Sequence, residues 1–498
     1  MQALNIGIVV AYLVAMLGFG WWGKSRTRNA SDYLVAGRRL GPFLYTGTMA
    51  AVVLGGASTV GGVGLGYQYG ISGMWLVVAI GTGVLLLSLL FAPTIQRLKI
   101  YTVSQMLTLR YGHRATRVSG IVMLAYTLML CATSTGAYAT IFVVLFGWDR
   151  AVSIAVGGVI VLIYSTVGGM WSITLADMAQ FVIKTVGVFA LMLPFSLAAA
   201  GGFSGIAERA GNEFFSITGI GAQSIITYFV VYTLGLLIGQ DIWQRVFTSR
   251  TPEIARWGGS AAGIYCILYG IAGAVIGMSA SVILPAIESR DDVYADIALN
   301  VLPIGIGGLV LAAAVAAMMS TASGALIAAA TVARTDVVPF VAGWFGRDTG
   351  ERATSDHDVR SSRWWVLGLG IVTIALAVIV QDVVAALTIA YDILVGGLLV
   401  AILGGLVWRR GNGLGAGASM AAGTLVTLGV MAYLEITADN QYDGIYANEP
   451  IYYGLAVSAL VYVLVSFLTR PTAPEVMEAW DRRVAGQVPD DVPVDAAR

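Results

Sequence analysis

Residues 46–70, TGTMAAVVLGGASTVGGVGLGYQYG, are apolar enough to lie in a membrane but hold too many glycines for a regular helix. Each glycine inside a helix destabilises it by about 1 kcal/mol relative to alanine. Two structures account for such a segment. Small residues allow neighbouring helices to pack closely. Alternatively, the helix is interrupted inside the membrane and its free carbonyl groups face a polar cavity, as in secondary transporters.

The composition is that of an integral membrane protein. Of 498 residues, 58% are hydrophobic and only 11% are charged, whereas soluble domains contain about 25% charged residues. The net charge of zero gives no sign of a nucleic-acid partner. Cys131 and Cys266 lie in apolar runs, which favours buried small residues over a disulfide or a metal site. The sequence carries no catalytic motif, so an enzyme is not expected.

Thirteen apolar runs are long enough to cross a bilayer. They cover residues 3–23, 42–67, 72–95, 115–146, 149–171, 174–200, 221–240, 257–286, 304–333, 363–381, 383–408, 413–436 and 450–469. Most lysines and arginines, Arg245 included, fall in the segments that alternate to one side, which the positive-inside rule assigns to the cytoplasm. The N-terminus is therefore predicted outside and the C-terminus inside the plasma (inner) membrane. The polar tail, 471–498, is predicted to be cytoplasmic and disordered.

Two groups of five spans, 42–200 and 221–408, enter the membrane with opposite polarity. An odd number of spans per group forces an inverted repeat, a common arrangement in transporters. Glycines interrupt the first span of each group. We therefore predict an all-α membrane domain, 1–470, with two inverted five-helix repeats, discontinuous first helices, and peripheral helices at 3–23 and 413–469.

Several stretches resemble the sodium:solute symporter family. They are GGASTVGGVGLGYQYG, YSTVGGMWSITLADMAQF from Tyr164, AAMMSTASGALIAAATVARTD from Ala316 and, more loosely, GQDIWQRVF from Gly239. The resemblance covers roughly residues 3–470. It implies a leucine-transporter-like fold and sodium-coupled symport of a small organic solute into the cell by alternating access.

One trio of residues has the spacing of an ion site. Ala317, Ser320 and Thr321 stand at i, i+3 and i+4, so a carbonyl and two hydroxyls share one helix face. Taken alone, the pattern equally fits hydroxyls that bond back to their own helix. The resemblance implies that the trio binds the coupling ion Na+, together with the carbonyl groups of Ala51 and Leu54 on the interrupted helix.

Two charges lie at membrane depth on one helix face, Asp177 and, seven residues later, Lys184. The resemblance implies that Asp177 is a station for sodium on its way to the cytoplasm; an interfacial carboxylate near a helix N-terminus is the alternative. Lys184 departs from the family pattern, in which the position is apolar. Three roles are open for Lys184. It pairs with Asp177 or extends to the cytoplasm; it gates the ion path; or its ammonium group replaces sodium, which would make transport proton-coupled or sodium-independent.

The solute pocket is expected between the two interrupted helices near the midplane. Its candidate lining residues are Ser58, Thr59, Thr135, Tyr138, Tyr228, Tyr232 and Gln240. The residues that mark sugar, choline and proline carriers in the family are absent, so the sequence does not name the solute. Asp392 is a further buried acid, suited to a cationic solute, to gating or to packing. Besides the solute and the bilayer, no obligatory protein partner is expected.

A membrane solute sensor is the alternative from another functional class. Such a sensor would carry a signalling domain beside its transporter-like core. The segment after Pro471 is too short for one, so the sequence favours transport.

Overall fold

A computed structural model describes residues 2–112, 116–287, 289–344, 357–380, 382–440 and 442–487. Within these ranges the protein is helical, and its extended pairing is limited to one isolated bridge between Leu40 and Ser249. The all-α prediction is confirmed.

The helices are numbered in chain order. They are α1 (Gln2–Arg26), α2 (Ala30–Val35), α3 (Pro42–Val53), α4 (Gly62–Tyr69), α5 (Trp75–Leu86), α6 (Ala92–Arg97), α7 (Val103–Tyr111), α8 (Thr116–Phe146), α9 (Arg150–Thr185), α10 (Leu193–Ala199), α11 (Gly202–Ala210), α12 (Ala222–Tyr228), α13 (Leu234–Leu236), α14 (Gln240–Thr248), α15 (Pro252–Ile283), α16 (Val293–Asn300), α17 (Ile306–Val332), α18 (Val338–Trp344), α19 (His357–Ile379), α20 (Val383–Val407), α21 (Gly413–Thr437), α22 (Asp443–Tyr446), α23 (Glu449–Leu468) and α24 (Pro474–Val484). Wider π-helical turns continue several of them, among them Ala57–Gly61 before α4 and Val186–Met192 after α9.

Among the described residues, ten helical runs are long and apolar enough to span a membrane, or eleven if the bent pair Ala222–Leu236 and Gln240–Thr248 is one span. The two longest runs, Ala57–Arg97 and Arg150–Ala199, each contain a glycine with positive φ, Gly70 at 63° and Gly169 at 58°. Dividing both runs at these glycines and counting the bent pair as one span gives thirteen, the predicted number. The count and the orientation of the termini stay predictions.

Gly169 lies at a kink inside α9, where the backbone leaves helical geometry (φ 58°, ψ −142°). A Cβ atom at this position would lie 2.6 Å from the backbone oxygen of Tyr33. We expect Gly169→Ala to destabilise the protein by about 2 kcal/mol or more, because an L-residue with this φ is strained and the contact allows no relaxation. The melting temperature in detergent measures the effect. Gly7→Ala is the matched control, since nothing lies within 4 Å of its added methyl group; equal melting temperatures would contradict the prediction.

Helix α17 forms the centre of the bundle. All residues in the most apolar part of its run are buried, whereas only 28% of the residues in the corresponding parts of α19 and α23 are. It packs against α8, α9 and α3, which places the trio Ala317, Ser320 and Thr321 inside the protein, away from lipid.

The predicted disorder of 471–498 is wrong for its first half. Residues Pro474–Val484 form α24, in which Trp480 is buried and Arg483 donates a hydrogen bond to the Leu98 carbonyl at 3.1 Å. The Arg483 bond ties α24 to the segment between α6 and α7, and the helix packs against α6 and α7 themselves, which a composition argument does not capture. Residues 488–498 lie outside the described part of the chain.

Candidate functional site

The interruption predicted from the glycines is present after α3. The helix ends at Val53, Leu54 takes a non-helical conformation (φ −92°, ψ 77°), and the chain becomes helical again at Ala57. A Cβ atom on Gly55 would lie 2.7 Å from Oγ1 of Thr321 and 3.0 Å from Oγ of Ser134. Glycine at this point therefore lets the break approach α17 and α8 closely.

The hydroxyl groups of α17 contact the end of α3. Ser320 Oγ donates to the Ala51 carbonyl at 2.7 Å, and Thr321 Oγ1 donates to the Val52 carbonyl at 2.6 Å. Both also lie near the carbonyl of Ala317, at 2.8 Å and 3.5 Å. The structure thus brings Ala51, Ala317, Ser320 and Thr321 together. The carbonyl that Thr321 reaches belongs to Val52, two residues before the predicted Leu54.

Lys184 lies at the same helix end. Its Nζ donates hydrogen bonds to the carbonyl groups of Ala50 at 3.1 Å and Ala51 at 3.0 Å. The side chain is fully buried, so it does not extend to the cytoplasmic surface. Within the described part of the chain its polar contacts are these two carbonyls, and no ion pair joins it to Asp177.

Asp177 pairs instead with Arg245 of α14. Arg245 Nη2 donates to Asp177 Oδ2 at 3.0 Å, and both side chains are 0% exposed. The same carboxylate oxygen accepts a hydrogen bond from Thr48, one turn before Ala51 on α3. Arg245, which the sequence assigns to a cytoplasmic segment, is thus buried in the protein rather than exposed in a loop. Its burial beside a carboxylate explains how an arginine is tolerated inside the bundle.

A small central cavity of about 20 Å³ lies at the break, with room for roughly one water molecule. Its polar lining consists of Ser58, Thr133, Ser134, Asp241, Thr321 and Tyr391. Asp241, whose Oδ1 accepts from the Tyr126 hydroxyl at 2.8 Å, was missed by the sequence reasoning. An acid directly after the apolar run 221–240, two residues past Gly239, was the available signal.

A second, larger cavity of about 300 Å³ is lined by Tyr228 and Tyr232, together with Tyr69, Thr388, Asp392 and Arg290. Asp392 is 1% exposed, and neither of its carboxylate oxygens has a hydrogen-bond partner in the described part of the chain. Arg290 lies 3.7 Å from Asp382. The two predicted pocket tyrosines therefore belong to a cavity beside the central one.

The other predicted pocket residues pack between helices. The Thr59 hydroxyl is 3.2 Å from that of Tyr269. Thr135 is buried on α8, one turn before Tyr138, whose ring lies so close to Gly157 that an added Cβ would be 2.3 Å away. The fourth predicted pocket residue is Gln240. Its side chain donates to the Tyr101 carbonyl at 2.9 Å and accepts from the Val103 amide at 2.8 Å. None of the four is among the residues that line the two cavities described above.

Asp291 lies in the loop before α16, and its pKa is raised to about 6. The main cause is burial, and the nearby Asp382 carboxylate adds to it. An unfolded aspartate titrates near 3.9, so the folded state disfavours the charged form. Stability should rise as the pH falls from about 7 to about 4 and decline as the pH rises through 6.

We expect Asp291→Asn to raise stability at pH 7.5 by on the order of 1 kcal/mol and to flatten this pH dependence. Melting temperatures from pH 4 to 8 measure it. Asp439→Asn, an exposed loop carboxylate, is the control. A wild-type profile that is already flat over this range would contradict the expectation.

The comparisons with known proteins agree with one another. A model of the sodium:solute symporter family matches residues 33–423. The sodium/proline symporter of Staphylococcus aureus (strain JH9) is 25% identical, over 93% of this chain and 92% of that protein; the protein of strain Mu3 matches equally.

Two solved structures share the fold. The substrate-bound, outward-open state of a Na+-coupled sialic acid symporter superposes with a TM-score of 0.77, at 18% identity, over 94% of this chain and 99% of that one. Mhp1, a nucleobase-cation-symport-1 family transporter in a closed conformation with bromovinylhydantoin bound, gives a TM-score of 0.58, at 16% identity, over 92% and 99%.

Proposed function

Because the chain belongs to the sodium:solute symporter family, and is thus a multi-pass membrane protein that couples solute symport to sodium, we propose where it binds the ion. The proposed ligands are the carbonyl groups of Ala51, Leu54 and Ala317 and the hydroxyls of Ser320 and Thr321. All five are neutral oxygens, which suits a monovalent hard cation.

The observation that carries this proposal is the contact between the α17 hydroxyls and the end of α3. Carbonyl groups in the last turn of a helix lack partners within the helix. The negative end of the helix dipole also favours a cation there. Ser320 and Thr321 lie 2.7 Å and 2.6 Å from two such carbonyls. A hydroxyl oxygen also has lone pairs, so each side chain becomes an ion ligand once its hydrogen turns away.

We further propose that Asp177 lies on the path by which sodium leaves for the cytoplasm. Thr48 links it to α3 one turn before Ala51. The ion pair with Arg245 lowers the attraction of this carboxylate for a passing cation, so sodium is not trapped there. A charged residue at membrane depth is typical of such pathways.

The solute is proposed to bind at the break of α3 and to arrive through the larger cavity, which the predicted orientation places on the outer side. In the present conformation the central cavity, about 20 Å³, is too small for an organic molecule, so solute binding requires the helices that line it to move apart. The staphylococcal relatives are sodium/proline symporters, but we do not propose proline as the solute of this chain. The residues typical of proline carriers are absent near Val53 and Leu237. We propose a small organic solute.

Sodium-driven uptake tests the proposal. The first step is to screen three classes of compound, namely amino acids (L-proline among them), monosaccharides and monocarboxylates. A solute that binds should raise the melting temperature of the protein in NaCl. Uptake of each stabilising solute is then measured in proteoliposomes with external Na+ and, as control, external K+. Accumulation should require the sodium gradient. Equal accumulation in K+ would contradict sodium coupling.

A further inference from the structure

We propose that the ammonium group of Lys184 is a tethered cation that competes with sodium for the carbonyl of Ala51. Sodium then binds only when Lys184 is displaced from the end of α3. This inference rests on the proposed sodium site and adds a second, built-in occupant to it.

Two donors lie within hydrogen-bond distance of the Ala51 carbonyl. Ser320 Oγ donates to it at 2.7 Å and Lys184 Nζ at 3.0 Å. The Ser320 hydroxyl has one hydrogen and also lies 2.8 Å from the Ala317 carbonyl, so an ion at Ala51 meets the Lys184 ammonium whichever carbonyl that hydrogen faces. A sodium ion at Ala51 therefore competes with these two donors.

Ser320 and Lys184 differ in how they can release the Ala51 carbonyl when sodium binds. The Ser320 hydroxyl carries lone pairs and turns from donor to ligand without moving its oxygen. The ammonium of Lys184 has three donors and no acceptor, so it cannot ligate a cation. Its positive charge also repels an ion bound to the same carbonyl, and burial weakens the screening of that repulsion. Lys184 is thus the group that has to leave.

The surroundings explain why Lys184 rests on the carbonyls. Asp177, on the same face of α9, is engaged by Arg245 and Thr48. The free carbonyl groups of Ala50 and Ala51 offer both hydrogen bonds and the negative end of the α3 dipole. Lys184 therefore joins α9 to the interrupted helix, a role that the coupling ion would otherwise fill between α3 and α17. Sodium binding exchanges one link for the other.

Sodium titrations of purified variants test the competition, with binding of ²²Na+ and the melting temperature as readouts. Lys184→Met removes the charge at similar length, and Lys184→Arg keeps it. Lys24→Met makes the same change at an exposed position. Sodium should half-saturate Lys184→Met at a concentration at least about tenfold lower than wild type, a usual size for coupling between two ligands. Lys184→Arg and Lys24→Met should show no such gain.

The opposite results are equally informative. An unchanged half-saturating sodium concentration in Lys184→Met, or a weaker sodium response, overturns the competition while leaving the sodium site in place. Adding Ser320→Ala to Lys184→Met should abolish the gain. If neither wild type nor Lys184→Met responds to sodium, although both are folded by size-exclusion chromatography, the sodium site itself is wrong. Lys184→Gln, which still donates to the carbonyls without a charge, replaces the methionine variant if that one does not fold.

Discussion

Arg245→Met is expected to lower the free energy of unfolding by about 3–5 kcal/mol. The guanidinium group lies 3.0 Å from Asp177, and both side chains are 0% exposed. Removing one partner leaves the other charge buried without compensation, which is far more unfavourable than losing the pair's net attraction. The melting temperature and the yield of monodisperse protein in detergent measure the effect.

Two controls separate this mechanism from a general loss of arginine. Arg409 forms an ion pair with Asp481 at 2.9 Å, but the side chains are 76% and 47% exposed. Arg409→Met should therefore change stability by no more than about 1 kcal/mol. The double variant Asp177→Asn, Arg245→Met should be more stable than Arg245→Met alone. If Arg245→Met is as stable as Arg409→Met, the buried pair does not hold α14 to α9 as described.

Ser320→Ala is expected to raise the half-saturating sodium concentration for uptake at least about tenfold, equivalent to about 1.4 kcal/mol. The variant loses a hydroxyl that lies 2.7 Å from the carbonyl of Ala51, and hydrogen bonds to charged groups contribute roughly 1.5–3 kcal/mol. In potassium, stability should change little, since Ala51 still accepts from Lys184 at 3.0 Å. Sodium-dependent uptake and ²²Na+ binding measure the loss.

Ser323→Ala is the matched control for this prediction. Ser323 is buried on the same helix, but its hydroxyl bonds back to the carbonyl of Ser320 at 3.1 Å. Its removal should leave the sodium dependence unchanged. A Ser320→Ala protein with wild-type sodium dependence would refute the assignment of the ion site to α17.

Local patterns predicted much of the fold. Hydrophobic runs located the helices, since burial in lipid requires apolar length. The glycine cluster predicted the break after α3, because glycine favours neither helix nor strand. The segment Tyr101–Gly112 is too short and too polar to span a membrane, which predicts a non-spanning helix, and α7, Val103–Tyr111, occupies it. The i, i+3, i+4 spacing of Ala317, Ser320 and Thr321 placed three oxygens on one face, as helix geometry demands.

What the sequence by itself determined are the properties that depend on neighbours along the chain: helices, the break and the shared face of the α17 oxygens. Only the tertiary structure decided which groups meet across helices. Asp177 and Lys184 share one face of α9 and suggested a pair, yet Arg245, 68 positions from Asp177, takes the carboxylate. Lys184 turns instead to Ala51, 133 positions away. Distance and burial in the folded protein decide which groups a long charged side chain contacts. Neither quantity follows from the separation of two residues along the sequence.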